Sequence, residues 1–408
     1  MVKSLNNILK CECIAHGVGA VRLLCMAEVL TMGPVFSFSS LLPQFINSFK
    51  LSSAEAGWLS GITFAGYALV VPVASALTDR MDARRVYVAG AILAGMSALL
   101  FAWFAHDFWS ALVCRLLAGL GLAGTYMPGL KALVDRSDGP EQPKWMSWYT
   151  ASFSLGTGTS FLATGLLADW LGWRAAFGVL GLGAMLAAVP VGLALRPQRP
   201  QTVLAGKLLD LRPVFANREV MAYVLGYFAH MWELFGLRSW MVAFLAFAAA
   251  GPAVLTPTLV AALSSVVAMI ASIGGAAWAS RFGRARSCMV FALASAICAV
   301  LVGLSAGWGL AAAVLMLFYN ALVQLDSAAL TTGAVLAAEP ARRGASIAVH
   351  SLIGFGGAFL GPLAFGWVLD VAGGAGEATA WSWAFASLGA VAALGPLALY
   401  RLVRTRLN

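Results

Sequence analysis

Seven formally charged side chains stand inside long apolar runs of this 408-residue chain: Arg22, Glu28, Arg115, Lys131, Glu233, Arg238 and Asp326, with the titratable His230 and His350 beside them. A charge at the centre of a lipid bilayer costs at least about 2.5–3.5 kcal/mol on insertion scales, so each is a functional candidate. Glu28, Glu233 and Asp326 are candidate proton carriers, because burial tunes how readily a carboxyl group exchanges a proton near neutral pH; ion pairing or helix packing is the alternative. Arg115 and Arg238 can clamp a carboxylate or other anion through the planar guanidinium fork, or else neutralise the three acids. His230 and Glu233 are three apart, share a helix face and can exchange a hydrogen bond, either in transport or as a structural pair. Arg238, five beyond Glu233, points about 140° away on a regular helix, toward another helix or a solute unless the backbone breaks near Gly236.

Asn320, Gln324, Ser327 and Thr331 recur at i, i+4, i+7 and i+11, a polar stripe that avoids lipid and is expected to face a cavity, with Asp326 beside it. The embedded charges are expected to converge on one wet chamber. Cys11, Glu12, Cys13 and His16 have metal-ligating side chains, but these four within six tail residues, with no second cluster, do not make a zinc site. The fourteen methionines show no i, i+4 pairing within a helix that would suit copper. No metal or cofactor is expected. No G-x-x-x-x-G-K-S/T phosphate loop and no soluble catalytic domain is visible, so neither a nucleotide-driven pump nor an enzyme is expected in this chain.

Stepping from these residues to what must carry them, 61% of the chain is apolar and 11% charged, against about 45–50% and about 25% in a soluble domain. A water-soluble fold of this size could not hide that surface. Apolar runs long enough for the roughly 20 residues a bilayer demands place helices near 20–47, 54–78, 86–106, 108–134, 146–170 and 174–195. A second set lies near 220–249, 256–280, 288–305, 308–337, 344–371 and 380–402. The expected fold is an all-α membrane protein of twelve transmembrane helices in two pseudo-symmetric six-helix bundles, 1–195 and 220–408, joined by a polar linker, 196–219, that holds Pro197, Pro200 and Pro213.

The net charge of +9 does not indicate nucleic acid, because 20 of the 26 Lys and Arg fall in alternate connections and the tails, while the intervening connections hold Lys50 and Arg174. That asymmetry places both termini and the linker in the cytoplasm. Met1 to Glu12 lacks a signal-peptide core, so an uncleaved start is expected. No cysteine framework suggests a disulfide scaffold.

Arg80 and Arg281, Arg85 and Arg286, Gly165 and Gly366, and Asp169 and Asp370 are each 201 residues apart, which points to an internal duplication. Pseudo-symmetric halves with a site between them are common in secondary transporters. The segment Ser75 to Arg85 resembles the loop between helices 2 and 3 of the major facilitator superfamily, G-x-L-A/G-D-R-x-G-R-R: Asp79, Arg80 and Arg84 match, while Ser75, Asp82 and Ala83 depart. The second copy, Ala279 to Arg286, keeps Gly283 and the arginines but has Ser280 in place of the acid. Arg115, Leu116, Leu117, Ala118, Gly119, Leu120, Gly121 resembles the superfamily's R-x-x-Q-G-x-G with the glutamine replaced, and Gly172, Trp173, Arg174, Ala175, Ala176, Phe177 resembles its G-W-R-x-x-F start of helix 6.

The resemblance implies alternating access, with helices 1, 4, 7 and 10 around a central cavity; all seven embedded charges fall on those four. It also implies a cytoplasmic gate of Asp79, Arg80, Arg84 and Arg85 with Arg281, Gly283, Arg284 and Arg286. Asp79 would hold that side closed against basic residues or the positive N-terminus of helix 11; the alternative is that the loop charges only set topology. Drug antiporters of the superfamily carry a Gly-Pro pair in a glycine-rich helix 5. Here Gly156 to Ser160 has no proline, and the Gly361-Pro362 pair lies in helix 11, where small residues let helices pack closely.

The reading is proton-coupled secondary transport of a small polar or anionic solute across a bacterial inner membrane, by a multi-pass monomer whose partners are solute, protons and lipid. The alternatives are an efflux antiporter for drugs or other cationic or apolar compounds, and a non-transporting membrane sensor or assembly factor.

Overall fold

The computed structural model describes residues 17–137, 139–198, 211–249, 255–339 and 342–405, with side chains described as far as 400. The tail residues Cys11, Glu12, Cys13 and His16, the start Met1 to Glu12, and linker positions 199–210, with Pro200, lie outside the described residues.

The first half comprises α1 (Val18–Met32), α2 (Ser37–Ser40), α3 (Leu42–Phe49), α4 (Ser53–Thr78), α5 (Ala83–Phe104), α6 (Phe108–Val134), α7 (Gln142–Leu171) and α8 (Trp173–Ala194). After a short α9 (Arg212–Ala216) come α10 (Arg218–Ala248), α11 (Pro257–Phe282), α12 (Arg284–Leu304), α13 (Leu310–Gln324), α14 (Ser327–Ala337), α15 (Arg343–Val371) and α16 (Ala378–Thr405). Ten of the resulting spans are long and apolar enough to cross a membrane, α13 and α14 counting as one. α7 spans 30 residues but is diluted with Ser and Thr, and α1 to α3 together form the remaining crossing. The fold is thus twelve spans in two pseudo-symmetric sets of six.

Polar residues at the turns start the helices. Ser52 and Glu55 form a capping box on α4, Asp107 and Ser110 form one on α6, and Asn217 accepts from the N–H groups of Glu219 and Val220 at the start of α10. Gly172 (φ 83°) and Gly283 (φ 93°) make the sharp turns into α8 and α12, a backbone conformation only glycine adopts cheaply.

Two expected helices are interrupted. The 20–47 segment breaks after Met32, where Gly33 and Pro34 end α1; proline supplies no N–H and clashes with the preceding turn. The 308–337 segment breaks at Leu325 and Asp326, between α13 and α14. Both breaks lie in the membrane and must be answered by side chains.

Small residues bring the helices together. In the first half α5 packs on α6 and α8, and in the second α10 packs on α15 and α16. A Cβ at Gly90 would stand 2.7 Å from the Gly124 Cα, and one at Gly95 would stand 2.4 Å from the Gly181 carbonyl oxygen. Only glycine fits such approaches.

The start of α1 and the end of α16 share one face, the near face. There Arg136, fully buried just past α6, donates Nη2 to Asp82 Oδ1 (2.7 Å), Nε to the Arg196 carbonyl (2.9 Å) and Nη1 to the Ala132 carbonyl (3.1 Å). Asp82 also accepts from the N–H groups of Gln198 (3.0 Å) and Arg84 (3.0 Å). Arg84 in turn donates to the carbonyls of Gly192 and Leu195, at the end of α8. Asp82, where the sequence departs from the superfamily's glycine, thus ties the α4–α5 loop to α6 and the start of the linker.

Burial would push the pKa of Asp82 up, but the hydrogen bonds from Gln198, Arg136 and Arg84 outweigh it and hold the carboxyl below its ordinary range. A depressed carboxyl contributes stability above its unfolded value and loses it as pH falls through the folded one. Asp82→Asn is therefore expected to lower the unfolding temperature in detergent at pH 7, with the gap to wild type narrowing below about pH 4. Arg136→Gln, which leaves the part-buried Asp82 with only its two backbone donors, should cost about 1–3 kcal/mol. Thermal unfolding across pH checks both.

Candidate functional site

Glu28 in α1 is fully buried. The hydroxyl of Tyr149, from α7, donates to its Oε2 at 2.9 Å, the ring of Tyr126 stacks on Tyr149 at 6.0 Å, and Glu28 Oε1 has no partner among the described residues. Nearby Arg115 in α6 donates Nε to the Leu59 carbonyl and Nη1 to the Val35 carbonyl, both at 3.1 Å. Its guanidinium lies 5.4 Å from the Phe38 ring. Arg115 therefore meets no acid; it answers a carbonyl exposed by the break after α1. The same break is stitched to α7, where Ser160 accepts from Phe36 N–H and donates to the Gly33 carbonyl, and Ser37 meets Thr164 at 2.8 Å.

In the second half, Glu233 of α10 accepts from Ser295 Oγ of α12 and Tyr319 Oη of α13, each at 2.9 Å. The hydrogen bond expected between His230 and Glu233 is not made. His230 Nδ1 instead lies 2.7 Å from Asp326 Oδ1, out of line for a hydrogen bond, and His230 Nε2 has no partner among the described residues. Asp326 stands at the break between α13 and α14, which turns it out of the Asn320 stripe and toward α10. His230, Glu233, Asp326 and Cys288 line a small cavity of about 10 Å³, the size of a single water. Tyr227 stacks on His350 at 3.9 Å and on His230 at 5.6 Å, and His350 Nε2 meets Thr331 Oγ1 at 3.2 Å. Asn320 Nδ2 donates to the Ser264 carbonyl in α11 (2.7 Å), and Gln324 is buried beside it.

Between the halves lies an aromatic layer: Phe64 meets Phe235 at 4.2 Å, and Tyr67 meets Phe355 at 4.1 Å. Arg238 is 4% exposed and 5.9 Å from both the Phe36 ring of the first half and the Phe235 ring of its own helix. Among the described residues no carboxylate pairs with it. α10 runs unbroken through Gly236, so Arg238 points away from Glu233, as helical geometry requires.

The expectation of one chamber collecting all embedded charges is not met. Glu28 and Glu233 occupy separate clusters, Glu28 accepting from Tyr149 in its own half and Glu233 from Ser295 and Tyr319 in the other, where Asp326 lies against His230. Arg22 is exposed in the second turn of α1, and Lys131 pairs with Asp135 at the end of α6, so neither reaches the interior. Tyr149, Ser295, Tyr319 and the Asp82–Arg136 pair were not legible as partners, since no spacing links them.

The halves meet on the far face. A Cβ at Gly57 would stand 2.4 Å from the Pro362 carbonyl oxygen, one at Gly61 2.3 Å from that of Phe359, and one at Gly366 2.1 Å from that of Ser53, closing α4 on α15. Gly165, the repeat mate of Gly366, packs against Thr258 and closes α7 on α11. Asp370 seals the first contact by accepting from the N–H groups of Ser53 (2.9 Å) and Ala54 (2.8 Å) at the start of α4. At the near face Asp79 ends α4 and makes no side-chain contact with α15 among the described residues. Arg80, Arg85, Arg281 and Arg286 are exposed there, Arg84 is engaged within the first half, Gly283 is a turn, and Arg284 is half-buried. None of these residues bridges the halves in this state.

Residues 24–323 match the model of the Major Facilitator Superfamily. The chain belongs to that superfamily. Among curated relatives, monocarboxylate transporter 11 of Mus musculus is 31% identical over 208 residues, 48% of this chain and 45% of that one. A probable 4-methylmuconolactone transporter of Cupriavidus pinatubonensis is 30% identical over 144 residues, 34% of this chain and 33% of that one. The chain thus spans half or less of the length of these relatives. Among solved structures of superfamily members, an inward-facing, unoccupied bacterial homologue of the human lysosomal transporter Spinster superposes with a TM-score of 0.71 at 20% identity, covering 93% of this chain and 94% of that one. A nucleoside transporter superposes at 0.77 with 14% identity, covering 94% and 99%. At those identities the structural likeness shows the fold alone, and the curated relatives carry the names of transporters.

A carboxylate on a helix N-terminus contributes typically about 0.3–1 kcal/mol, and up to about 2 kcal/mol when partly buried. Asp370→Ala is expected to loosen the far-face seal, so that hydrogen exchange at Ser53 and Ala54 speeds up several-fold while amides in α10 are unaffected. Unchanged exchange at the start of α4 would show that glycine packing alone closes this face.

Proposed function

We propose that this superfamily member is a proton-coupled secondary transporter of a small organic anion, working by alternating access in the bacterial cytoplasmic membrane. The observation that carries the reading is Arg238: a buried guanidinium between the halves, without a carboxylate partner, flanked by Phe36 and Phe235. A cation kept out of water needs an anion, and aromatic faces beside it suit an organic body attached to a carboxylate. The names of the monocarboxylate and methylmuconolactone relatives are in keeping with that class.

Protons would be carried by Glu233 and by Asp326 with His230, around their one-water cavity, with Glu28 as a further carboxyl group in the first half. Asn320, Gln324 and His350 complete the polar wall. Arg115 is assigned to holding the broken first span. The basic loops favour a cytoplasmic near face, and with the far face closed by the α4–α15 and α7–α11 contacts this supports reading the state as inward-facing. Asp79, Arg80 and Arg85 would then close against Arg281, Arg286 and the start of α15 in the opposite state. The bundles are assigned to 1–195 and 220–408, the linker to 196–219, and the working unit to a monomer.

The test is uptake of labelled lactate and benzoate into proteoliposomes under an imposed pH gradient. Wild type is expected to show gradient-driven flux. Arg238→Gln should reduce it about 10–100-fold, the worth of a charged hydrogen bond, with partial recovery in Arg238→Lys. Glu233→Gln should retain anion exchange and lose the response to the gradient. Full flux in Arg238→Gln would sink the anion reading. The aromatic layer favours one rival, efflux of apolar cations, which predicts dye transport that survives Arg238→Gln and fails in Glu233→Gln.

A further inference from the structure

The near face of the second half carries a groove of about 840 Å³ between the ends of α10, α11, α12, α14 and α16. Arg284 and Arg286, in the first turn of α12, stand at its rim; Val290, Leu293, Leu336 and Tyr400 line its wall. These four are 57%, 46%, 55% and 51% exposed, a large apolar surface to leave uncovered. Neither arginine forms an ion pair with a carboxylate among the described residues. Glu219, also on the wall, is itself engaged, so the groove sets two guanidinium groups against a single carboxylate.

The groove is not a closed pocket but the end of a longer track. Below Val290 and Leu293, the exposed side chains Ile297, Val300, Leu301 and Leu304 continue along α12 at helical spacing. That stripe is the bilayer-facing surface of the span. The basic rim therefore sits at headgroup depth and the apolar wall runs directly into the acyl region. A free anion would not need the wall, and an apolar helix would leave the arginines without a counter-charge. An amphiphile with an anionic head satisfies both.

We propose that this groove is a binding site for an anionic glycerophospholipid, with the phosphate on Arg284 and Arg286 and one acyl chain along Val290, Leu293 and Leu336. Basic pockets between spans at a cytoplasmic surface bind such headgroups, and van der Waals packing of an acyl chain along the wall holds the head over the arginines. The inference rests on the proposed orientation only in naming the cytoplasmic leaflet; it is independent of the transported solute. The lipid would brace α12 against α14 and α16 at the face that must close during the cycle.

The test uses the purified full chain in neutral detergent, with lipid retention read by native mass spectrometry and unfolding temperature read from tryptophan fluorescence. Dioleoylphosphatidylglycerol is expected to bind and raise the unfolding temperature by several degrees, while dioleoylphosphatidylcholine and inorganic phosphate do not. The double variant Arg284→Gln, Arg286→Gln should retain phosphatidylglycerol about tenfold less well. Leu336→Trp, which keeps both charges and narrows the apolar wall, should also reduce retention and keeps the question answerable if the double variant misfolds. Equal retention of the two lipids overturns the proposal, as does unchanged binding in either variant, or a full shift with phosphate alone. Because flux is not the readout, failure of the lipid site and failure of the anion-transport reading are separate results.

Discussion

Hydrocarbon offers no hydrogen bonds, and most of this structure follows from that one fact. Each backbone group released by a break in a span, and each polar side chain carried into the bilayer, must find its partner within the protein. The clearest case is the first span. Gly33 and Pro34 end α1 in mid-membrane, and Arg115, Ser160, Ser37 and Thr164 converge on the gap. Arg115 thereby becomes a clamp holding α1, α4 and α6 in register, a duty that leaves little of its fork for a solute.

The same accounting separates the acids. Glu28 takes its donor from Tyr149, and Glu233 takes two from Ser295 and Tyr319. Asp326, placed by the break after α13, leans on His230. Each half thus carries its own polar cluster inside its own bundle, and an aromatic layer lies where the bundles meet. Arg238 is the exception, a charge in that layer without an acid. Its isolation is what makes it the centre of the functional reading, because the groups around it offer ring faces and no carboxylate.

The duplicated sequence has a mechanical counterpart. Gly165 and Gly366 occupy equivalent places in the two halves, and each lets a helix of one bundle touch a helix of the other on the far face. Asp370 adds a carboxylate to the start of α4 across that seam. A rigid bundle that pivots on small-residue contacts can trade one closed face for the other without unravelling, since the seal is made of backbone approaches and not of interlocked long side chains.

The membrane class, the number of crossings, the duplicated halves and most helix ends were legible in the amino-acid order, because apolar length, basic loops and turn residues act locally and one segment at a time. Asp370 was visible as a repeat position, though not as a seal. The partners of the embedded charges were not legible. His230 and Glu233 share a helix face, yet their real partners, Asp326, Ser295 and Tyr319, come from 62 to 96 residues away. Which donor reaches a buried carboxyl depends on how spans cross in three dimensions, and no spacing along one helix encodes it. Chain order therefore determined that these charges had to be sheltered, while tertiary packing decided by what, and left Arg238 with aromatic rings for company.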